Sequence, residues 1–416
     1  MEGRRGALWR HPDFLKLWAA QTVSEVGSQV TLLALPLAAI EQLHASNAAV
    51  GALRTVETLP FLLFGLPAGV WVDRWRRRKV LLGTDLARAI VLASVPAAWA
   101  LGWLALPQLL VVAFVTGILT TVFDVAYQSF LPRLVARDDL VDANTKLGLS
   151  QSGAAVAGPG IAGLLVSALG AASAVGLDAA SFLASAVGVG WISRPEEAAS
   201  PARGDRAGLV AQVREGLGFV LGHPQLRLLA GCTATYNLFL QGFELVLLLY
   251  LARSLGLGAR EIGIVLVASS VGYVAGSLVA GRIGLRLGMG RIFTIGIAVS
   301  GLGAAGAPLF GRGSVVLLAV ALWINSFGVP LYNINQLSLR QSICPDRLQA
   351  RMNATMRFLV WGTLPVGSLL GGLLAATIGI HPALWVTAGG EILAVAWTLP
   401  APLRLLREIP EPLTTP

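Results

Sequence analysis

Glu25 stands inside a long apolar run, and Gln21, Ser28 and Gln29 fall on the same helical face as it does. A carboxyl among amides in an apolar setting has one obvious chemistry, the uptake and release of a proton. Glu25 lies eleven residues past Phe14, near the start of the run, which is about 16 Å along a helix and close to mid-bilayer. An acid at that depth is neutral when dry and can ionise when water arrives. Glu25 is therefore the candidate proton carrier. A protonated acid hydrogen-bonded to Gln21 or Gln29, or a direct substrate contact, would use the same residues. A later run carries a matching stripe of Thr233, Asn237, Gln241 and Glu244. An offset of 212 places Gln21 on Thr233, Glu25 on Asn237 and Gln29 on Gln241. Polar stripes in lipid-crossing helices must face protein or water. The two helices are thus expected to flank a wet cavity, with Gln21, Gln29, Thr233, Asn237, Gln241 and Glu244 on its wall.

The same offset runs through the whole chain. His11-Pro-Asp-Phe-Leu-Lys-Leu returns as His223-Pro-Gln-Leu-Arg-Leu-Leu, and Gly69, Arg74 and Lys79 return as Gly281, Arg286 and Arg291. With 416 residues, 55% of them hydrophobic and only 13% charged, the apolar surface exceeds what a soluble core can hide. Twelve apolar runs of membrane-spanning length follow one another, six in each copy. The expectation is an all-α membrane protein of twelve transmembrane helices in two pseudo-symmetric six-helix bundles, residues 1–193 and 223–416, the second ending in a short tail. The segment 194–222 between them begins with Arg194-Pro-Glu-Glu and reads as an exposed linker. Its second half, with Leu209, Val210, Val213, Leu217 and Val220 at helical spacing, predicts a short helix on the membrane surface. Internal duplication of membrane bundles is the mark of secondary transporters.

Charge fixes an expected orientation. Arg253, Arg260 and Arg312 are the basic residues of the odd-numbered loops, whereas most of the 31 Lys and Arg lie in the termini and the even-numbered loops. Both termini are expected in the cytoplasm of a bacterial inner membrane. The net charge of +9 is explained by this asymmetry and by attraction to anionic lipids, not by nucleic acid. The first apolar run is too long for a signal peptide core and should stay as a span. Cys232 and Cys344 are isolated, and His11, His44, His223 and His381 are dispersed, so no disulfide or metal site is expected. Neither a Walker A loop nor an H-E-x-x-H pair occurs in the sequence, which disfavours ATP drive and a histidine-based intramembrane hydrolase.

The loop after the second run reads Gly69-Val-Trp-Val-Asp73-Arg74-Trp-Arg76-Arg77-Arg78-Lys79. Together with Asp85-Leu-Ala-Arg88, Leu131-Pro-Arg133-Leu-Val and Leu177-Asp178-Ala-Ala-Ser-Phe182-Leu, it resembles the major facilitator superfamily. The likeness is to its drug and siderophore exporter branch, which includes enterobactin and macrolide efflux proteins. The resemblance covers essentially the whole chain and is densest over residues 11–185. It implies that Gly69, Asp73, Arg74, Arg77 and Arg78 form a cytoplasmic gate that stabilises the outward-facing state. Asp85 and Arg88, three apart on one face, either neutralise each other or join this gate, as does Asp124 near the inner end of the fourth run. Arg76 stands where the superfamily usually has Gly, and Leu285 replaces Asp73 in the second copy. The gate is therefore expected to be electrostatically asymmetric. Gly153, Gly158-Pro159 and Gly163 on the fifth run partly resemble the glycine-proline motif of antiporters.

The remaining intramembrane polar residues widen the candidate cavity. Glu57 follows Arg54 by three residues and is expected to pair with it, and Glu244 and Glu391 are further cavity acids with Arg357 as a possible counter-ion. Tyr332 and Asn333, with Trp323, Asn325, Asn335, Gln336 and Trp361, suit a bulky amphiphile. Asp178 is expected to be structural. The excess of acids over bases tilts the substrate towards neutral or cationic lipophilic molecules. The leading expectation is proton-antiport export of a drug, antibiotic or siderophore-like compound by a monomer, with protons and membrane lipids as its other partners and no cofactor. Proton symport of a nutrient or lipid, and a receptor or scaffold that transports nothing, are the alternatives.

Overall fold

The computed structural model describes residues 7–193, 209–311 and 313–406. The hydrocarbon layer offers no water to backbone amides, so each apolar run closes its own hydrogen bonds as a helix. The first copy gives α1 (Pro12–Leu37), α2 (Asn47–Arg74), α3 (Arg77–Ala100), α4 (Leu106–Leu134), α5 (Leu140–Leu169) and α6 (Ala171–Gly190). Next comes α7 (Leu209–Gly222), a helix in the second half of the inter-copy segment. Residues 194–208 lie outside the described residues. The second copy gives α8 (Pro224–Leu249), α9 (Ala259–Leu287), α10 (Met289–Phe310), α11 (Val315–Ile343), α12 (Asp346–Thr377) and α13 (Ile380–Leu393).

The repeat seen in sequence is also a repeat of local structure. His11 and His223 precede α1 and α8 in extended conformation, each with proline as the first helical residue. That proline loses nothing there, since the first helical amides have no intrahelical partner. The His11 ring accepts the Phe14 amide at 3.1 Å, whereas the His223 side chain makes no cap bond. Both helices end in a five-residue π turn, Ala38–Gln42 and Tyr250–Ser254, again separated by 212.

Among the described residues, eleven helices are long and apolar enough to cross a membrane. The twelfth expected run is broken: α13 stops at Leu393, a 3-10 stretch covers Ala394–Thr398, and Pro400 opens the closing turn Ala401–Arg404. The change to 3-10 geometry begins at Ala394, six residues before Pro400, and Pro400 then stands at the start of the closing turn.

Packing divides the chain into two compact units. The first comprises Met1–Ser46, Val56–Gly204 and Gly258–Ile264; the second comprises Asn47–Thr55, Asp205–Leu257 and Val265–Pro416. In the first unit α1 packs on α5 and α6, and α3 on α4 and α6. Gly163 of α5 meets Gly263, in the opening turn of α9 that clusters with this unit. In the second unit α8 packs on α12 and α13, and α10 on α11 and α13. Small residues allow these approaches, because lipid supplies no hydrophobic drive between helices and contact must come from close packing. A Cβ placed on Gly371 would lie 2.7 Å from the Gly242 carbonyl oxygen and 2.8 Å from its Cα.

Gly371→Val is therefore expected to lower the thermal unfolding temperature of the detergent-solubilised protein, at a cost of about 1–3 kcal/mol for overpacking. Gly389→Ala serves as the control, because a Cβ there meets nothing within 4 Å. Equal unfolding temperatures for the two variants would contradict this account of the α8–α12 contact.

Candidate functional site

On α1 the Gln21 amide donates to Glu25 Oε1 at 3.1 Å, and both residues are half-buried. No cation pairs with Glu25 among the described residues. One turn of α1 is held to α5 by the Thr22 hydroxyl, 3.0 Å from Ser150 Oγ, and Gln29 packs its Cβ and Cγ against Gly158. Glycine at 158 thus lets α5 lie directly on the polar face of α1. From α4, Tyr127 stacks on Phe123 with ring centroids 6.0 Å apart. Tyr127 lies within electrostatic reach of both Glu25 and Asp124. Its hydroxyl is buried and has no hydrogen-bond partner among the described residues. The site in the first unit is thus a carboxyl held by one amide, with a spare phenol beside it. A separate cavity of about 590 Å³ between α1 and α6 is lined by Leu15, Val23, Val187 and Trp191 and contains none of this stripe.

A second polar cluster lies inside the same unit. Arg88 donates to Asp85 at 2.5 Å, and the other Asp85 oxygen accepts the Ser185 hydroxyl at 2.8 Å. The guanidinium is sandwiched between Phe123 and Phe182, 4.3 and 4.0 Å from their ring centres. Flat faces on both sides suit a planar cation and exclude water from it. Asp178 accepts Thr31 at 2.5 Å and Ser181 at 2.9 Å, and it and Asp124 also act on Arg88 through space. Of the two roles expected for Asp85 and Arg88, the structure displays mutual neutralisation, in the interior of the unit where both are buried.

In the signature loop, the side chains of Asp73 and Arg74 and the surroundings of Gly69 lie outside what is described. Arg77 is buried at the start of α3. Arg78 donates to the carbonyls of Val189, at 3.2 Å, and Gly190, and Lys16 to that of Trp191 at 2.6 Å. These cations cap the last turn of α6, where unpaired carbonyls and the negative end of the helix dipole favour positive charge.

In the second unit the α8 stripe divides. Asn237 and Gln241 are half-buried and Glu244 is exposed. Gln241 donates to Glu244 at 3.4 Å, and Arg54 acts on Glu244 through space. Thr233 and Tyr332 instead turn inward and bond each other at 2.7 Å, both buried. Tyr332 also sits edge-on to Phe293, so these two side chains serve packing in this unit instead of lining an open wall. Asn333 and Glu57 are half-buried. Glu391 is wholly enclosed between helices, a placement that corrects the expectation of a residue facing a cavity. Tyr127, Phe123, Ser185 and Tyr236 escaped the sequence reading because single aromatic and hydroxyl residues in apolar runs look like packing. Only the acid three residues before Tyr127, Asp124, hinted at its surroundings.

A duplicated helical chain that repeatedly spans the membrane, with a carboxyl and amides midway along its first helix, belongs to the class of secondary transporters and not to the enzymes. The family described as transmembrane secretion effector matches residues 6–411, and the chain belongs to that family, within the major facilitator superfamily. It is 29% identical over 389 residues to the multidrug efflux pump Tap of Mycolicibacterium fortuitum, covering 89% of this chain and 91% of the pump. It is 22% identical to macrolide efflux protein A of Streptococcus pyogenes, over 91% of this chain and 93% of that protein. In fold it is similar to a bacterial homologue of the iron transporter ferroportin in an inward-facing state, with TM-score 0.76 and 16% identity over 93% of this chain and 99% of the other.

Arg88→Leu is expected to destabilise the protein by about 3–5 kcal/mol, because it leaves Asp85 buried without its cation. Adding Asp85→Asn should recover part of the loss. Thermal unfolding of the single and double variants measures both effects, and a double variant no better than the single one would refute the pairing.

Proposed function

We propose that this protein is a proton-driven exporter of small lipophilic molecules, such as drugs, antibiotics or siderophore-like compounds, and works by alternating access. The observation that carries this reading is Glu25: a half-buried carboxyl midway along α1, held by the neutral Gln21 amide and facing no cation among the described residues. Such a group is free to exchange a proton for substrate or water, whereas a carboxyl locked to arginine, as Asp85 is, does not change charge cheaply. The efflux named in the two curated relatives supports outward transport.

In this scheme the bundles 1–193 and 223–416, joined by 194–222, rock about the α1 and α8 stripes. Gln21, Gln29, Asn237, Gln241, Glu244, Glu57 and Asn333 contact the substrate. Asp73, Arg74, Arg77 and Gly69 act in the cytoplasmic gate, and Arg78 anchors α6 beside it. The protein acts as a monomer in the bacterial inner membrane, with both termini cytoplasmic and anionic lipids along its basic loops.

The test is efflux of ethidium and of a macrolide from proteoliposomes under an imposed pH gradient. Native protein should transport with the gradient, Glu25→Gln should lose at least tenfold in gradient-driven rate while retaining exchange, and Asp73→Asn should slow both. Transport indifferent to both the gradient and Glu25 would overturn proton antiport.

A further inference from the structure

In the second unit a carboxyl lies sealed among four helices. Glu391 of α13 has no exposed surface. Its Oε2 accepts the Asn325 amide of α11 at 3.1 Å and the Ser300 hydroxyl of α10 at 3.5 Å. Its Oε1 has no partner among the described residues. Ser300 Oγ in turn lies 2.6 Å from the Tyr236 hydroxyl of α8, and the Asn325 amide also donates to the Ser300 carbonyl at 2.9 Å. Glycines seal the cluster: Gly303 backs onto Asn325, and Gly328 onto Ser300.

The ionisable groups that act on Glu391 both come from α8. They are Glu244, whose charge opposes its own, and the Tyr236 phenol. The elements α10 and α11 present only the neutral Ser300 and Asn325, and among the described residues no cation acts on it. The repeat makes this absence pointed. The offset of 212 that relates the copies places Ser300 on Arg88. The first copy gives its buried carboxylates a cation at that position, whereas the second copy has a serine there. An enclosed charge with neither counter-ion nor full hydrogen bonding is far costlier than the neutral acid.

From this geometry we propose that Glu391 is a second proton-binding site, internal to the second unit, with Ser300 and Tyr236 as the hydroxyl path leading from it towards α8. The proton resides on the carboxyl when the cluster is closed, and passes through Ser300 and the Tyr236 hydroxyl to a water molecule when water reaches that hydroxyl. Each hydroxyl passes on one proton as it receives another, so the path itself ends unchanged. Joined to the export reading above, this adds a proton to the transport cycle, but the binding itself does not require that reading.

The test is infrared difference spectroscopy of the full chain in nanodiscs, titrated from mildly acid to strongly alkaline buffer with no transported molecule present. Native protein should show a protonated-carboxyl C=O band that disappears on alkalinisation. The band should be missing from Glu391→Gln and retained in Glu25→Gln. A Glu391→Gln spectrum identical to native would mean that Glu391 never holds the proton. A Glu391 band that persists at every pH would make it a fixed structural acid, and either result overturns the proposal. Asn325→Ala provides an independent check that keeps the carboxyl: losing the amide donor should move the band to higher wavenumber, and an unmoved band would also overturn the assignment. Loss of gradient-driven efflux in Glu25→Gln is measured separately, so the two readings can fail independently.

Discussion

Hydrocarbon provides neither hydrogen bonds nor dielectric screening, so every charge and dipole placed within it must be answered by another part of the same chain. That requirement shapes most polar features of the described helices, with the Tyr127 hydroxyl and Glu391 Oε1 among the exceptions. Thr55, Thr121, Ser129 and Thr377 return their hydroxyls to carbonyls one turn back on their own helices. Arg88 cannot be satisfied locally. It draws on Asp85 of its own helix, on Phe123 and Phe182 of the helices on either side, and through Asp85 on Ser185. The cation thus ties α3, α4 and α6 into one block and fixes where α4 carries Tyr127 towards Glu25. Glycine contacts do the corresponding work in the second unit, where α10 and α11 approach closely enough for Asn325 to reach Ser300.

The two copies meet this requirement differently. The first concentrates ion pairs and acids within its bundle, and the second relies on neutral donors, with Thr233 and Tyr332 closing one network and Ser300, Asn325 and Tyr236 another. Duplication has therefore kept the helices and replaced their polar interiors.

Much of the architecture was legible before any coordinates, because it rests on one-dimensional signals. The length and composition of the apolar runs, the 212 offset and the proline after each histidine cap all act along a single helix. The Gln21–Glu25 contact was readable for the same reason, since four-residue spacing brings side chains together. What depended on neighbouring helices was hidden. Periodicity groups Thr233 with Asn237 and Gln241 on one face, but it does not say which edge of that face turns towards Tyr332. The aromatic clamp on Arg88 joins residues from three helices, and the enclosure of Glu391 depends on glycines in two others. The change of helix type at Ala394 was submerged in an otherwise continuous apolar run.

The wide turns that finish α1 and α8 mark one point in both copies. A π turn inserts a residue into the helical ladder and is uncommon enough that two independent origins at equivalent points would be a coincidence. Its presence at Ala38–Gln42 and again at Tyr250–Ser254 puts the same widening at the same point of each repeat. Both repeats thus share this ending of the leading helix while their charged residues differ.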